Sequence, residues 1–177
     1  AICLSGFSGM GLEIVLLIAF QICYGFVYKQ LGIIVTAFLI GTAVGGAWSV
    51  RRIQSSHNLM FRLDILLSLF AFLLGPLLIV LQTTTNPILQ HIAPLIIFPA
   101  LTVVIGFLVG AQFPVAAKLT FSEVEETAGS LYGLDFLGAA LGALLITTLV
   151  IPYLGIITTC FFIGTLKLFS AAFLWVL

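Results

Sequence analysis

Long apolar segments constrain the fold of this chain more than any other feature of its sequence. A helix needs about 20 mostly apolar residues to cross about 30 Å of hydrocarbon. Six segments meet that requirement: residues 5–27, 31–50, 63–81, 95–117, 130–151 and 154–177. Only 7% of the 177 residues are charged, whereas a soluble domain carries about a quarter. We therefore predict an all-α, polytopic bundle of about six transmembrane helices that forms a single transmembrane domain over residues 1–177, with no soluble catalytic domain.

Basic residues are unevenly distributed between the predicted helices. Arg51, Arg52, Arg62 and Lys118 follow helices two and four, whereas the connections after helices one, three and five hold only Lys29. Since Lys and Arg accumulate in cytoplasmic connections, we place both termini in the cytoplasm of a multi-pass protein in a bacterial-type inner membrane. The formal net charge of zero argues against a nucleic-acid surface. The expected partners are the lipid bilayer and protein subunits, either other proteins or further copies in a homo-oligomer.

Glycines recur at four-residue spacing along several predicted helices. In lipid no hydrophobic force draws helices together, and glycine grooves that let two backbones approach closely supply packing instead. The pairs are Gly41 and Gly45, Gly106 and Gly110, Gly129 and Gly133, and Gly138 and Gly142. Residues 38–45 (FLIGTAVG) are loosely similar to residues 136–142 (FLGAALG). These stretches lie in helices two and five, which are equivalent in an inverted three-plus-three repeat.

Five stretches are more characteristic in combination than any of them alone. They are SGFSGMGLEIVLLIAFQICYGFVYKQLG, FLIGTAVGGAWSVRR, GAQFPVAAKL, AGSLYGLDFLGAALGALL and IPYLGI. Together they resemble the membrane region of spermidine synthase-like (polyamine aminopropyltransferase-like) integral membrane proteins. The resemblance implies a helix arrangement like that of half a major-facilitator transporter, often followed by a soluble aminopropyltransferase-like domain. Because these residues contain no strand–GxGxxG–helix unit and no acidic catalytic loop, the resemblance implies a membrane region and no transferase.

Two ionisable residues fall near the middle of predicted helices, where a charge costs about 2.5–3.5 kcal/mol on insertion scales. Glu13 in helix one and Lys167 in helix six would relieve each other's desolvation by pairing. Gln21 and Gln112 add amides that can hydrogen-bond across helices, and the break at Pro114 can open a polar pocket. We interpret these polar residues either as a site for a substrate, cation or proton, or as contacts that only determine helix packing.

A second group of charges lies near the cytoplasmic face in this topology. It consists of Arg51, Arg52, Arg62, Asp64, Lys118 and Asp135. The simpler interpretation is that these charges hold the helix ends in place, and the alternative is a gate like that of major-facilitator proteins.

No residue pattern typical of an enzyme accompanies these features. There is no Ser/His/Asp or Cys/His arrangement, no CxxC and no phosphate-binding glycine loop, so we expect no catalysis, cofactor or metal site.

Three functions stay open. The favoured one is a scaffold or anchor that holds a partner protein or fused soluble domain at the membrane. The second is a carrier of a small solute, a polyamine or other cation, with a site around Glu13. The third is the membrane part of an aminopropyltransferase-like enzyme. A carrier requires a polar cavity that reaches Glu13, whereas a scaffold requires that Glu13 be closed off.

Overall fold

The helices of this chain are long and apolar. A computed structural model describes residues 2–25, 28–52, 56–84, 92–120 and 125–176, and these ranges contain no strand. The helices are α1 (Ile2–Tyr24), α2 (Tyr28–Val50), α3 (Ser56–Thr83), α4 (Phe98–Thr120), α5 (Glu125–Leu145) and α6 (Ile151–Val176). Five stretches are long and apolar enough to cross a membrane, and the last of them, Gly129–Leu174, combines α5 with α6. A helix satisfies its own backbone hydrogen bonds, as hydrocarbon requires.

Prolines account for two irregular segments at the helix boundaries. A π-helical segment, Ala93–Ile97, leads into α4 just before Pro99, and a second, Ile146–Val150, links α5 to α6 just before Pro152. Proline lacks the amide hydrogen of the helical ladder and crowds the carbonyl four residues earlier, so the ladder widens locally.

The start of α3 differs from the prediction. The apolar pattern places it at residue 63, whereas α3 begins at Ser56 and takes in the second half of the predicted basic connection. Polar residues such as His57 and Asn58 extend the helix by about two turns, because a helix can continue beyond the hydrocarbon where water or headgroups solvate its side chains.

Helices α2 and α4 run parallel and touch through glycines. A Cβ on Gly45 would overlap the carbonyl oxygen of Phe107, and a Cβ on Gly110 would overlap that of Thr42. The remaining glycines of the two predicted pairs make the same kind of contact: Gly41 and Gly106. Near the start of both helices, the side chain of Gln30 also donates a hydrogen bond to the carbonyl of Pro94. The backbones therefore approach as closely as two helices can.

Helices α1 and α5 form a second parallel contact of the same type. A Cβ on Gly138 would overlap the carbonyl oxygen of Cys3, and a Cβ on Gly6 would overlap that of Asp135. Gly142 lies one turn further on, with Phe7 as its neighbour.

One predicted glycine pair takes no part in packing, so that prediction is wrong. No atom lies within 4 Å of a Cβ placed on Gly129 or Gly133. Both lie on α5 before the stretch that contacts α1, so four-residue spacing alone does not distinguish a contact face from an open one.

Helix α6 reverses the direction of the chain at a single residue. Gly155 has φ 79° and ψ 167°, a conformation essentially restricted to glycine. Beyond it, α6 runs antiparallel to α3. The hydroxyl of Ser68 donates to the carbonyl of Gly164 at 2.7 Å, and the earlier residue Asp64 contacts the later residue Lys167. The α3–α6 contact brings together the polar residues described next.

Candidate functional site

A buried lysine ties four helices together near one end of the bundle. The Lys167 ammonium donates to the Ser5 hydroxyl at 2.9 Å, the Asp64 carboxylate at 2.7 Å and the Gln112 side-chain oxygen at 3.1 Å. An ammonium has three hydrogens to donate, and each finds an acceptor on a different helix, α1, α3 or α4. Together with Ser170, we call these five residues the Lys167 cluster.

The carboxylate of Asp64 is held from two sides. One oxygen accepts from Lys167 and the other from the Ser170 hydroxyl at 2.8 Å. Lys167, Asp64 and Gln112 are each 0% exposed, and Ser5 and Ser170 are nearly so. A charge pair removed from water needs this complete set of partners to offset its desolvation.

Local sequence explains how α3 and α6 present these groups. Asp64 and Ser68 are four residues apart, and Lys167 and Ser170 are three apart, so each pair shares one helix face. Ser5 and Ser170 were not predicted as site residues. The signal that would have found them is a small hydroxyl residue on the same face as a charge, in a helix that is otherwise apolar.

The pairing of Glu13 with Lys167 that the sequence suggested is wrong. Lys167 pairs with Asp64 and reaches α1 at Ser5, about two helical turns, or about 12 Å, from Glu13. Glu13 is nevertheless buried, with 3% of its surface exposed. Glu13 and Lys167 were paired because each lies near the middle of its predicted helix. Helices that extend unequally past the membrane have their midpoints at different depths, so two such residues need not be neighbours.

Only one of the two glutamines predicted for the intramembrane polar site belongs to the Lys167 cluster. Gln112 joins Lys167, as predicted for an amide that bonds across helices, whereas Gln21 is partly exposed towards the opposite end of α1. Among the described side chains, the buried polar atoms without a protein partner are Ser8 Oγ and Gln112 Nε2. Such atoms cost about 1–3 kcal/mol each.

The predicted cytoplasmic charge cluster separates into three parts. Asp64 leaves it for the Lys167 cluster, and Asp135 is half-buried against Gly6 of α1. The basic members are exposed at the helix ends: Arg51, Arg52, Arg62 and Lys118. Arg52 lies over the Trp48 ring, with its guanidinium carbon 5.5 Å from the ring centre. A single charge cluster at this face is therefore wrong.

A cavity of about 420 Å³ lies between the two glycine contacts. Helices α1, α2, α4 and α5 all contribute to its wall, which includes Gly6, Met10, Phe38, Thr42, Gly110, Phe113, Pro114, Tyr132, Asp135 and Phe136. Asp135 is the one carboxylate in that wall, and Glu13 is not part of it. A smaller groove of about 330 Å³ lies between Trp48, Arg52 and Arg62 at the ends of α2 and α3.

The described residues contain no group of three His, Cys, Asp or Glu side chains that could hold a metal ion. No protein family, curated protein or solved structure matches the chain. The site therefore has to be interpreted from its own geometry.

Proposed function

We propose that this chain is a membrane scaffold or anchor, a rigid bundle that holds a partner protein or fused soluble domain at the bilayer. The observation that carries the proposal is the closed Lys167 cluster. A charged site that binds and releases solute must open to one side, whereas this cluster is sealed, with Lys167 at 0% exposure and all three donors used. Such a network is suited to holding four helices in one arrangement.

The proposal includes six membrane crossings with both termini on the cytoplasmic side. The parallel α2–α4 contact supports it, because it places Arg51 and Arg52 at the same end as Lys118. The reversal at Gly155 supports two crossings within Gly129–Leu174, since a 46-residue helix would measure about 69 Å, more than twice the hydrocarbon thickness.

We also propose that the bundle is an inverted three-plus-three repeat. In such a repeat α1 corresponds to α4, α2 to α5 and α3 to α6. The α1–α5 contact then corresponds to the α4–α2 contact. Gly6 and Gly106 then become equivalent, since a Cβ on either would overlap a carbonyl oxygen of the partner helix. The same exchange relates Gly45 to Gly142, which supports the sequence similarity between residues 38–45 and 136–142.

The scaffold proposal is tested by cross-linking the chain in the membranes of the cells that naturally make it. Purification in mild detergent and quantitative mass spectrometry then identify what stays attached. We expect one protein partner at fixed stoichiometry. A protein that carries no fused soluble domain and purifies only as a monomer or homodimer would contradict the proposal.

Two variants of α2 provide the matched control. Gly45→Val forces α2 away from Phe107 and should release the partner, whereas nothing lies within 4 Å of a Cβ on Gly32, so Gly32→Val should retain it. Equal partner recovery with both variants would mean that the bundle's packing does not hold the partner.

A further inference from the structure

Acidic groups outnumber basic ones in the interior of the described bundle. Glu13 and Asp64 are buried and Asp135 is half-buried, whereas the one buried cation in the described residues is Lys167. Lys167 is paired with Asp64 at 2.7 Å. A half-buried carboxylate near apolar surface attracts a cation, because its desolvation is only partly offset.

Asp135 presents its carboxylate at the wall of the 420 Å³ cavity rather than in the closed Lys167 cluster. It lies against α1, where a Cβ on Gly6 would meet its Oδ1 atom at 2.8 Å. The glycine therefore leaves room for the carboxylate. The cavity volume falls within the range of small-molecule sites, about 300–1,000 Å³.

Three aromatic side chains line the same cavity as this carboxylate. The Phe113 and Tyr132 ring centres are 4.4 Å apart, and those of Tyr132 and Phe136 are 5.8 Å apart in a stacked arrangement. All three rings line the cavity. Aromatic faces carry negative charge density and attract organic cations, a combination with carboxylate that proteins use to bind quaternary ammonium groups.

A backbone acceptor lies in the same wall. Pro114 has no amide hydrogen, so the Gly110 carbonyl four residues earlier lacks its helical donor. That oxygen points towards α2, 3.6 Å from a Cβ placed on Gly46, and both glycines line the cavity. Tyr132 and Phe136 are 52% and 66% exposed and line the cavity, so we expect a ligand to enter past them.

We propose that this cavity binds a small organic cation of the alkylammonium class, with its charge at Asp135 and its carbon atoms against Phe113, Tyr132 and Phe136. Charge complementarity selects this occupant over a lipid acyl chain. An acyl chain would fit the aromatic wall but leave the Asp135 carboxylate with only Lys167 as a nearby opposite charge, and Lys167 is already paired with Asp64. Asp135 is not a member of the Lys167 cluster, although its carboxylate interacts electrostatically with Lys167. The proposed site does not depend on the scaffold proposal.

The test measures binding of two probes to the full chain in dodecyl maltoside, a detergent without an amine. The probes are choline and its uncharged isostere, in which carbon replaces the quaternary nitrogen. We expect choline to bind at least about tenfold more tightly than the isostere, and Asp135→Asn to remove that preference. Equal binding of both probes, or an unchanged preference in Asp135→Asn, would overturn the proposal and indicate an apolar cavity filled by lipid.

Three further variants separate ligand binding from folding. Tyr132→Leu should weaken choline binding about 5–30-fold, whereas Tyr132→Phe, which keeps the ring face, should bind within about twofold of the parent. Glu13→Gln removes a carboxyl that does not line the cavity and should leave choline binding unchanged. Thermal unfolding of each variant confirms that the protein is folded, and equal loss in Tyr132→Leu and Tyr132→Phe would contradict a role for the aromatic face.

Discussion

An ammonium group in hydrocarbon is tolerable only when its hydrogens and its charge are all matched, and Lys167 meets both conditions. Ser5, Asp64 and Gln112 each accept one hydrogen bond from it, and Asp64 also supplies the opposite charge. The Ser170 hydroxyl completes the carboxylate's partners. The stability of the cluster therefore depends on its completeness. Removing Lys167 or Asp64 leaves the other buried charge unmatched, and removing a neutral member leaves a charged group without one hydrogen bond.

Lys167→Met should lower the free energy of unfolding by about 3–5 kcal/mol, because Asp64 would stay buried without its counter-charge. Unfolding by SDS titration from mild detergent, followed by circular dichroism, measures this change. The double variant Lys167→Met, Asp64→Leu should recover most of the loss, since it removes both charges together. A single variant as stable as the parent would show that the ion pair contributes nothing to stability.

Glu13→Gln tests whether Lys167 interacts with Glu13 as well as with Asp64. Because Glu13 lies about 12 Å along α1 from Ser5, the effects of Glu13→Gln and Lys167→Met should add to within about 0.5 kcal/mol. A coupling well above that value would mean that Glu13 and Lys167 interact after all.

At the scale of the helices, close contact of parallel pairs replaces the hydrophobic force that lipid cannot provide. In the α2–α4 contact a glycine on each helix faces a carbonyl of the other, as Gly45 faces Phe107 and Gly110 faces Thr42. No larger residue fits there without separating the helices.

Gly45→Ala should destabilise the protein by about 1–3 kcal/mol, because its Cβ would overlap the Phe107 carbonyl oxygen and the α2–α4 contact would open. Gly133→Ala is the matched control, since no atom lies near its Cβ and alanine favours a helix, so its stability should equal or slightly exceed that of the parent. The same SDS titration compares the two. A gain in both variants would show that helix propensity outweighs packing at Gly45 and would contradict the close α2–α4 contact.

Much of this element-level structure could be predicted from the sequence, because hydrophobic length and glycine spacing are local properties. The all-helical architecture is confirmed, as are apolar helices of membrane-spanning length. Gly133 and Glu13 show where the prediction failed. Which face of a helix meets a neighbour, and at what depth two residues lie side by side, depend on the tilt and offset of helices far apart in the chain. Asp64 was assigned to an exposed cluster for that reason, and its partner lies 103 residues away.

At the scale of the whole molecule, the contacts describe helices of alternating direction. The chain reverses at Gly155 without a separate polar loop, because the reversal lies within α6. Tyr153 and Leu154, just before Gly155, are 82% and 50% exposed. Membrane topology follows from these directions, and labelling can test it.

Single cysteines at Asn58 and Tyr153, in a chain whose Cys3, Cys23 and Cys160 are replaced by alanine, should react from opposite sides with a membrane-impermeant maleimide. We expect Asn58→Cys to label only in inside-out vesicles and Tyr153→Cys only in right-side-out vesicles, as six crossings with cytoplasmic termini require. Thr84→Cys should label with Tyr153→Cys. If Tyr153→Cys instead labels with Asn58→Cys, α5 does not cross the membrane and the topology of six crossings is wrong.

The separation of 103 positions between Asp64 and Lys167 also affects how the protein is made. A ribosome adds about 5–20 residues per second, so α3 would be synthesised about 5–20 s before the lysine that neutralises its carboxylate. The parallel glycine contacts impose a similar wait, since α1 must be synthesised well before α5. Early in biogenesis, the nascent first half therefore carries a carboxylate without its partner. An insertase or a chaperone would have to shield that carboxylate, and the fate of the chain in the cell depends on that interval.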